Sequence, residues 1–179
     1  MKTFTLEKQG ETLIFHNPET GTGGRLDFEM MLAPGAIGPE PHIHTRQDEG
    51  FRVTSGTLVV TIEGTTRTLL ANDEVIVKAG QVHSFRNGSE TDPVTVKGYA
   101  EPALGLYWLL SEAAKLAIDR GGSWKDLPLP EASWLLYNLR DEYRVGGIPF
   151  FLQNILFGSL AAVARITGRT RKIAPKPTQ

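Results

Sequence analysis

The spacing of hydrophobic positions divides this chain into two halves. Over residues 1–100, short runs rich in Val, Ile, Thr and Phe are separated by clusters of Gly, Pro, Asn and Asp. This is the pattern of strands joined by turns. The candidate strands are TLIFH, RLDFEMML, EGFRVTSG, TLVVTIEG, RTLL, EVIVKAG, HSFRN and VTVKGYA. In TLVVTIE, Leu58, Val60 and Ile62 fall on one face, as in a half-buried strand. Many short strands at this spacing predict a sandwich or barrel.

From residue 101 the period lengthens to that of helices. PALGLYWLLSEAAKLAIDRGG reads as a helix ended by Gly121 and Gly122. PEASWLLYNLRDEYRVGG reads as a second, opening at Pro130 and ending at Gly146 and Gly147. Trp134, Leu135, Tyr137, Leu139 and Tyr143 would form its buried face. IPFFLQNILFGSLAAVARITG is the third and most apolar, and RKIAPKPTQ reads as a frayed tail. Ile148 to Ala164 carries no charge over 17 residues. That is the lower edge of the roughly 17–25 residues that cross a bilayer. Gln153, Asn154, Gly158 and Ser159 interrupt the run, so a helix buried against the barrel or a second subunit is expected ahead of membrane contact. The resulting division is a β-barrel over 1–100 and a helical extension over 101–179, packed on the barrel or at a homodimer interface.

Composition narrows the classes of function. The 179 residues are 40% hydrophobic and 22% charged, enough to bury a core. A formal net charge of −1 gives no reason to expect nucleic acid as a partner. Cysteine is absent, which removes disulfides, thiolate metal sites and cysteine nucleophiles. The opening MKTFTLEKQGETLIF lacks the apolar core of a signal peptide, and the expectation is a cytoplasmic protein. Arg165, Arg169, Arg171, Lys172 and Lys176 close the chain without an acidic residue among them, so residues 148–176 could also touch an anionic membrane surface. GTGG at Gly21 to Gly24 lacks dinucleotide-binding spacing, and no GxSxG, P-loop or HExxH occurs.

The candidate chemistry lies in PEPHIHTRQDEGF. His42 and His44 are two residues apart, and on a strand both imidazoles point to one face, where they can share a divalent metal ion. Two solvent-facing histidines beside a turn would give the same spacing. Glu49 follows at the start of the next strand and competes with Asp48, whose side chain should face the other way. His83 shares a face with Phe85 after a turn at Gly80, while His16 beside its own turn reads as a surface residue.

Together these residues resemble the cupin family. Gly35, His42, His44, Glu49 and Gly56 follow its first motif, G(x)5HxH(x)3–4E(x)6G, with one extra residue before His42. Gly80, His83 and Asn87 fall in register with the second, G(x)5PxG(x)2H(x)3N, where Asn72 replaces the first Gly and Lys78 the Pro. Neither departure touches a ligand position, and Asn tolerates the left-handed turn that Gly would adopt. The resemblance covers roughly residues 25–100. It implies an antiparallel jelly-roll barrel, often dimeric, with His42, His44, Glu49 and His83 as ligands of one divalent transition metal (Fe, Mn, Ni, Cu or Zn). Such a set leaves coordination positions open for a small molecule. A dioxygenase-type oxidoreductase is then expected, with Glu49 also a candidate base; an isomerase or lyase and a non-catalytic ligand-binding module are the alternatives. Phe28, Met30, Phe51, Val53 and Phe85 are the expected pocket walls.

Overall fold

A computed structural model describes residues 1–177 and shows a jelly roll of two antiparallel sheets, not closed into a continuous barrel, partly covered by helices. The strands are β1 Lys2–Leu6, β2 Glu11–Phe15, β3 Leu26–Leu32, β4 His42–His44, β5 Asp48–Ser55, β6 Leu58–Ile62, β7 Thr65–Leu69, β8 Glu74–Val77, β9 Val82–Asn87, β10 Val94–Glu101 and β11 Tyr143–Val145. The helices are α1 Leu106–Ile118, α2 Leu129–Asn138 and α3 Phe150–Ile166. One sheet runs β1-β2-β3-β10-β5-β8 and the other β11-β4-β9-β6-β7. The last two residues of the expected frayed tail lie outside the described residues.

Alternation sets which face is buried. In β2, Glu11, Leu13 and Phe15 point inward, and in β10 Val94, Val96, Gly98 and Ala100 do. Leu26, Leu32, Phe51, Val53, Leu58 and Val60 fill the space between the sheets. The turns follow backbone demands. Asn72 has φ of 78°, the left-handed geometry that its place in the second motif requires. Gly56 has φ of 79°, and a Cβ there would collide with the Pro93 carbonyl. Asn87 is buried, and its Nδ2 donates to the Leu32, Ala33 and Asp92 carbonyls at 3.2, 2.9 and 2.8 Å. It ties the end of β9 to the loops beside β3 and β10.

One expectation about the second half is corrected. The helix expected from Pro130 to Gly147 stops at Asn138. The chain turns at Leu139 to Tyr143, and Tyr143–Val145 becomes β11 against β4, with Tyr143 opposite His44 and Val145 opposite His42. Unpaired backbone on the outer edge of β4 and the extended preference of Tyr and Val outweigh the helical period of the preceding segment. The segment after residue 100 therefore completes a sheet as well as covering it. The apolar α3, expected against the barrel or a second subunit, packs on α2, where Gly158 meets Tyr137, and reaches the sheet at β11, where Gln153 bonds to Val145; within this chain only Gln153, Ala161 and Ala164 of it are buried. β1, which the hydrophobic pattern did not reveal, pairs with β2 and carries α1.

Among the described residues no helix is long and apolar enough to cross a membrane. The cover is pinned to itself: Trp108 Nε1 donates to the Ala174 carbonyl at 2.8 Å, and Gly105 N–H donates to Glu142 Oε2 at 2.8 Å. Lys176 Nζ pairs with Glu142 Oε1 at 2.7 Å.

Candidate metal centre

His42 and His44 lie on β4, His83 lies opposite His42 on β9, and Glu49 opens β5 in the facing sheet. The cluster therefore spans the gap between the sheets. All four side chains are buried, and one ligand atom from each lies within 4.8 Å of the others. The ring centres of His42 and His83 are 4.2 Å apart, those of His42 and His44 5.1 Å, and those of His44 and His83 5.4 Å. Glu49 Oε2 approaches His83 Nε2 at 2.9 Å and His44 Nε2 at 3.5 Å.

The surroundings fix the tautomers of His42 and His44. Each Nδ1 faces an oxygen that can only accept: Glu40 O for His42 at 3.0 Å, Gln47 Oε1 for His44 at 3.1 Å and Gln81 O for His83 at 3.2 Å. For His42 and His44 the Nδ1 thus carries the proton and donates, and the Nε2 keeps a free lone pair; His83 faces an acceptor on both nitrogens, since its Nε2 also hydrogen-bonds Glu49 Oε2 at 2.9 Å. Gln47 is itself fixed, because its Nε2 donates to the Pro102 and Ala103 carbonyls at 2.9 and 2.6 Å. Its oxygen must therefore face His44. Nothing in the sequence singled out Gln47; only its place three residues after His44 could have suggested it.

This donor set fits a divalent cation. Three imidazole Nε2 atoms and a carboxylate converge, and the hydrogen bond between His83 Nε2 and Glu49 Oε2 carries a proton that a cation can replace. Such groups 2.9 and 3.5 Å apart repel unless a cation or a shared proton lies between them. Protonation states agree with this. Burial holds the His42 ring well below the usual imidazole range, with His83 and His44 alongside adding to the effect. Burial also lowers His44, against the pull of Glu49. Burial alone would raise the Glu49 carboxyl, but the nearby His44 and His83 outweigh it and hold it below its ordinary value. Neutral imidazoles and an ionised carboxylate are the forms that bind metal.

Asp48, the competing acid, is not in the cluster. It faces outward and accepts from Lys78 Nζ at 2.7 Å and from the Ala79 N–H at 3.0 Å. Lys78 stands where the motif has Pro, and its ion pair ties the same turn. His16 is exposed, away from the cluster.

The cluster opens onto a cavity of about 270 Å³. Phe28, Met30, Phe51 and Phe85 line it from the barrel. Val53 does not reach it: the residue is fully buried in the core, because its inward position lies farther along β5 than Phe51. The opposite wall was missed by sequence reasoning. It comes from Leu106, Leu109 and Ala113 of α1, Leu135 and Leu136 of α2, and Trp124 in the short 3-10 turn Trp124–Asp126. Tyr143 on β11 stacks on His42, with ring centres 5.1 Å apart and planes 18° apart. Burial, with Glu49 nearby, pushes its phenol up, so it stays protonated.

Residues 28–97 match the family described as the cupin domain. A 49-residue stretch is 47% identical to a protein named "Probable oxidoreductase patJ" from Penicillium expansum, and covers 27% of this chain but only 15% of that protein's length. Among solved structures, KdgF from Halomonas sp. is 22% identical over 56% of this chain and 86% of its own, with a TM-score of 0.46. A sugar phosphate isomerase of the cupin superfamily from Silicibacter pomeroyi is 24% identical over 56% of this chain and 66% of its own, with a TM-score of 0.47.

Proposed function

We propose, for a chain that carries a cupin domain over residues 28–97, that His42, His44, Glu49 and His83 hold one divalent transition-metal ion and that the protein is an oxidoreductase of dioxygenase type acting on a small, largely apolar molecule. The observation that carries this reading is the convergence of four buried metal-binding groups beside an apolar cavity. The oxidoreductase name of the curated relative adds support, over a short match. When bound, such an ion supplies redox and Lewis-acid chemistry with open coordination positions.

The chain's own residues supply the rest. Phe28, Met30, Phe51 and Phe85 on one side, with Leu109 and Leu135 on the other, would grip an apolar skeleton and keep water out. Tyr143 holds the His42 ring from the side away from the barrel core. Glu49 Oε2 is the carboxylate atom that faces the cluster, and it would take up a substrate proton only on leaving the ion.

The test is oxygen consumption by the iron-loaded full chain with a panel of phenolic and enolic aromatics. Turnover that H42A abolishes, with folding intact, supports the reading. Binding of those aromatics without oxygen consumption under any first-row metal would make the protein a ligand-binding module instead.

A further inference from the structure

Glu11 is a second buried acid in the same cavity. It opens β2, is 3% exposed and lines the cavity among Leu13, Leu110 and Leu127. It is not part of the quartet: β3 and β10 lie between its strand and that of Glu49. Among the described residues its side chain makes one hydrogen bond, from Trp124 Nε1 to Oε2 at 2.6 Å, and no cation pairs with it. A carboxyl placed this way is expensive for the fold, since a Leu would suit the wall better. The indole satisfies one oxygen and leaves the other with no partner.

We propose that Glu11 and Trp124 form a polar pole of the cavity that binds the hydroxyl group of a mostly apolar ligand, whose remaining skeleton lies along the aromatic and leucine walls toward the metal quartet. A hydroxyl both donates and accepts, so it pairs with a carboxylate or with a carboxylic acid. Burial, opposed in part by the Trp124 hydrogen bond, raises the Glu11 carboxyl to about 7, so both forms are present near neutrality. An ammonium group would have to lose its hydration among apolar walls for a single carboxylate, which disfavours a cationic ligand. The inference rests on the reading that the cavity admits a small molecule.

The experiment is calorimetric titration of the purified full chain with 2-naphthol and with naphthalene, which differ only in the hydroxyl. Replacing Glu11 by Leu is expected to lower the naphthol-to-naphthalene affinity ratio about tenfold. Glu11→Gln, which can keep both the Trp124 bond and a polar atom in the cavity, is expected to preserve the ratio. Should E11L fail to fold, Glu11→Met carries the same comparison. The titrations are run with and without a chelator of divalent metals, and the ratio is expected to stay high in both, so failure of the metal reading and failure of this one are separate results. An unchanged ratio in the apolar variants, or no binding of either compound to the wild type, overturns the proposal and leaves Glu11 as a fastening for Trp124.

A second observation stands apart from the cavity. On α3, Phe151 is 65% exposed, Ile155 64% and Ile166 85%, and Leu152, Leu156 and Val163 are also exposed on the side away from α2. Arg165, Arg171 and Lys172 lie at the C-terminal end of this stripe, and no acidic residue follows Glu142 in the sequence. A second copy would therefore bring no negative charge from its own stripe, whereas an anionic bilayer offers both an apolar layer and negative headgroups. We infer that α3 lies in the surface of an anionic membrane. Cosedimentation with vesicles of phosphatidylglycerol and phosphatidylcholine should capture the protein, vesicles of phosphatidylcholine alone should capture much less, and F151E/I155E should abolish capture. Equal indifference to both vesicles overturns the inference, as does a dimer in sedimentation equilibrium that F151E/I155E dissociates.

Discussion

Gln47 Oε1 accepts the Nδ1 proton of His44 at 3.1 Å, and the Gln47 amide is held in turn by two carbonyls that follow β10. The tautomer of one candidate ligand is thus set by backbone that leads into the helical cover. Partners of this kind typically contribute 10–100-fold to metal affinity. Gln47→Leu should weaken zinc binding by about that factor, measured by competition with a chromophoric chelator. It should also take the side-chain donor from the Pro102 carbonyl, while the Ala103 carbonyl keeps the Leu106 N–H, costing about 1–3 kcal/mol in urea unfolding. Unchanged zinc affinity would show that His44 needs no orienting partner.

Tyr143 touches the quartet through its ring and not through a charge. Tyr143→Phe keeps the stack on His42 and should leave metal affinity and stability within about 1 kcal/mol of wild type. Tyr143→Ala removes a cavity wall and loosens β11 from β4, and should cost about 2–4 kcal/mol in chemical denaturation. Equal effects of the two changes would place the importance of Tyr143 in its hydroxyl.

The raised Glu11 carboxyl gives a signed pH dependence. Between its ordinary value of 4.5 and about 7, the folded protein holds this proton more tightly than the unfolded chain. The stability it contributes is therefore full at low pH and is lost as pH rises through this window. The other titratable groups on the cavity wall, Glu40, His42, His44, Glu49 and Tyr143, do not figure in this shift, which arises from burial against the Trp124 hydrogen bond. Glu11→Gln removes the titration. The stability of E11Q relative to wild type should rise by on the order of 3 kcal/mol between pH 4 and pH 8. A flat difference across that range would mean that the carboxyl is solvated in solution.

Asn87 belongs to the second motif but not to the quartet. Asn87→Ala strips a donor from the Leu32, Ala33 and Asp92 carbonyls and should destabilise the fold by roughly 3 kcal/mol. Metal affinity of the folded variant should stay near wild type, as read by the same chelator competition.

Legibility in the sequence followed the range of the interactions. The alternation of β2, β3, β6 and β10 is local, so the strands and the inward positions could be read directly. The spacing of His42, His44, Glu49 and His83 is a property of three short strands and the turns that lead into them, and it too was visible. β11 was not, because Tyr143–Val145 takes its conformation from β4, a hundred residues earlier, while its own neighbours have a helical period. The same distance hid the cavity's second wall: Leu109 and Leu135 read only as helix positions, and Trp124 between the two helices carried no signal, until the barrel supplied the surface they face. Glu11 carried no signal in the sequence, and only the fold shows it buried and bonded to Trp124.

The most direct test of the central claim is elemental analysis of the full chain purified without added metal, beside H42A and H83A prepared in the same way. The account predicts one divalent transition-metal ion per chain in the wild type and its loss in both variants, with their folds retained by circular dichroism. A wild type that carries no such ion and takes none up on titration with iron, manganese, nickel, copper or zinc would contradict it.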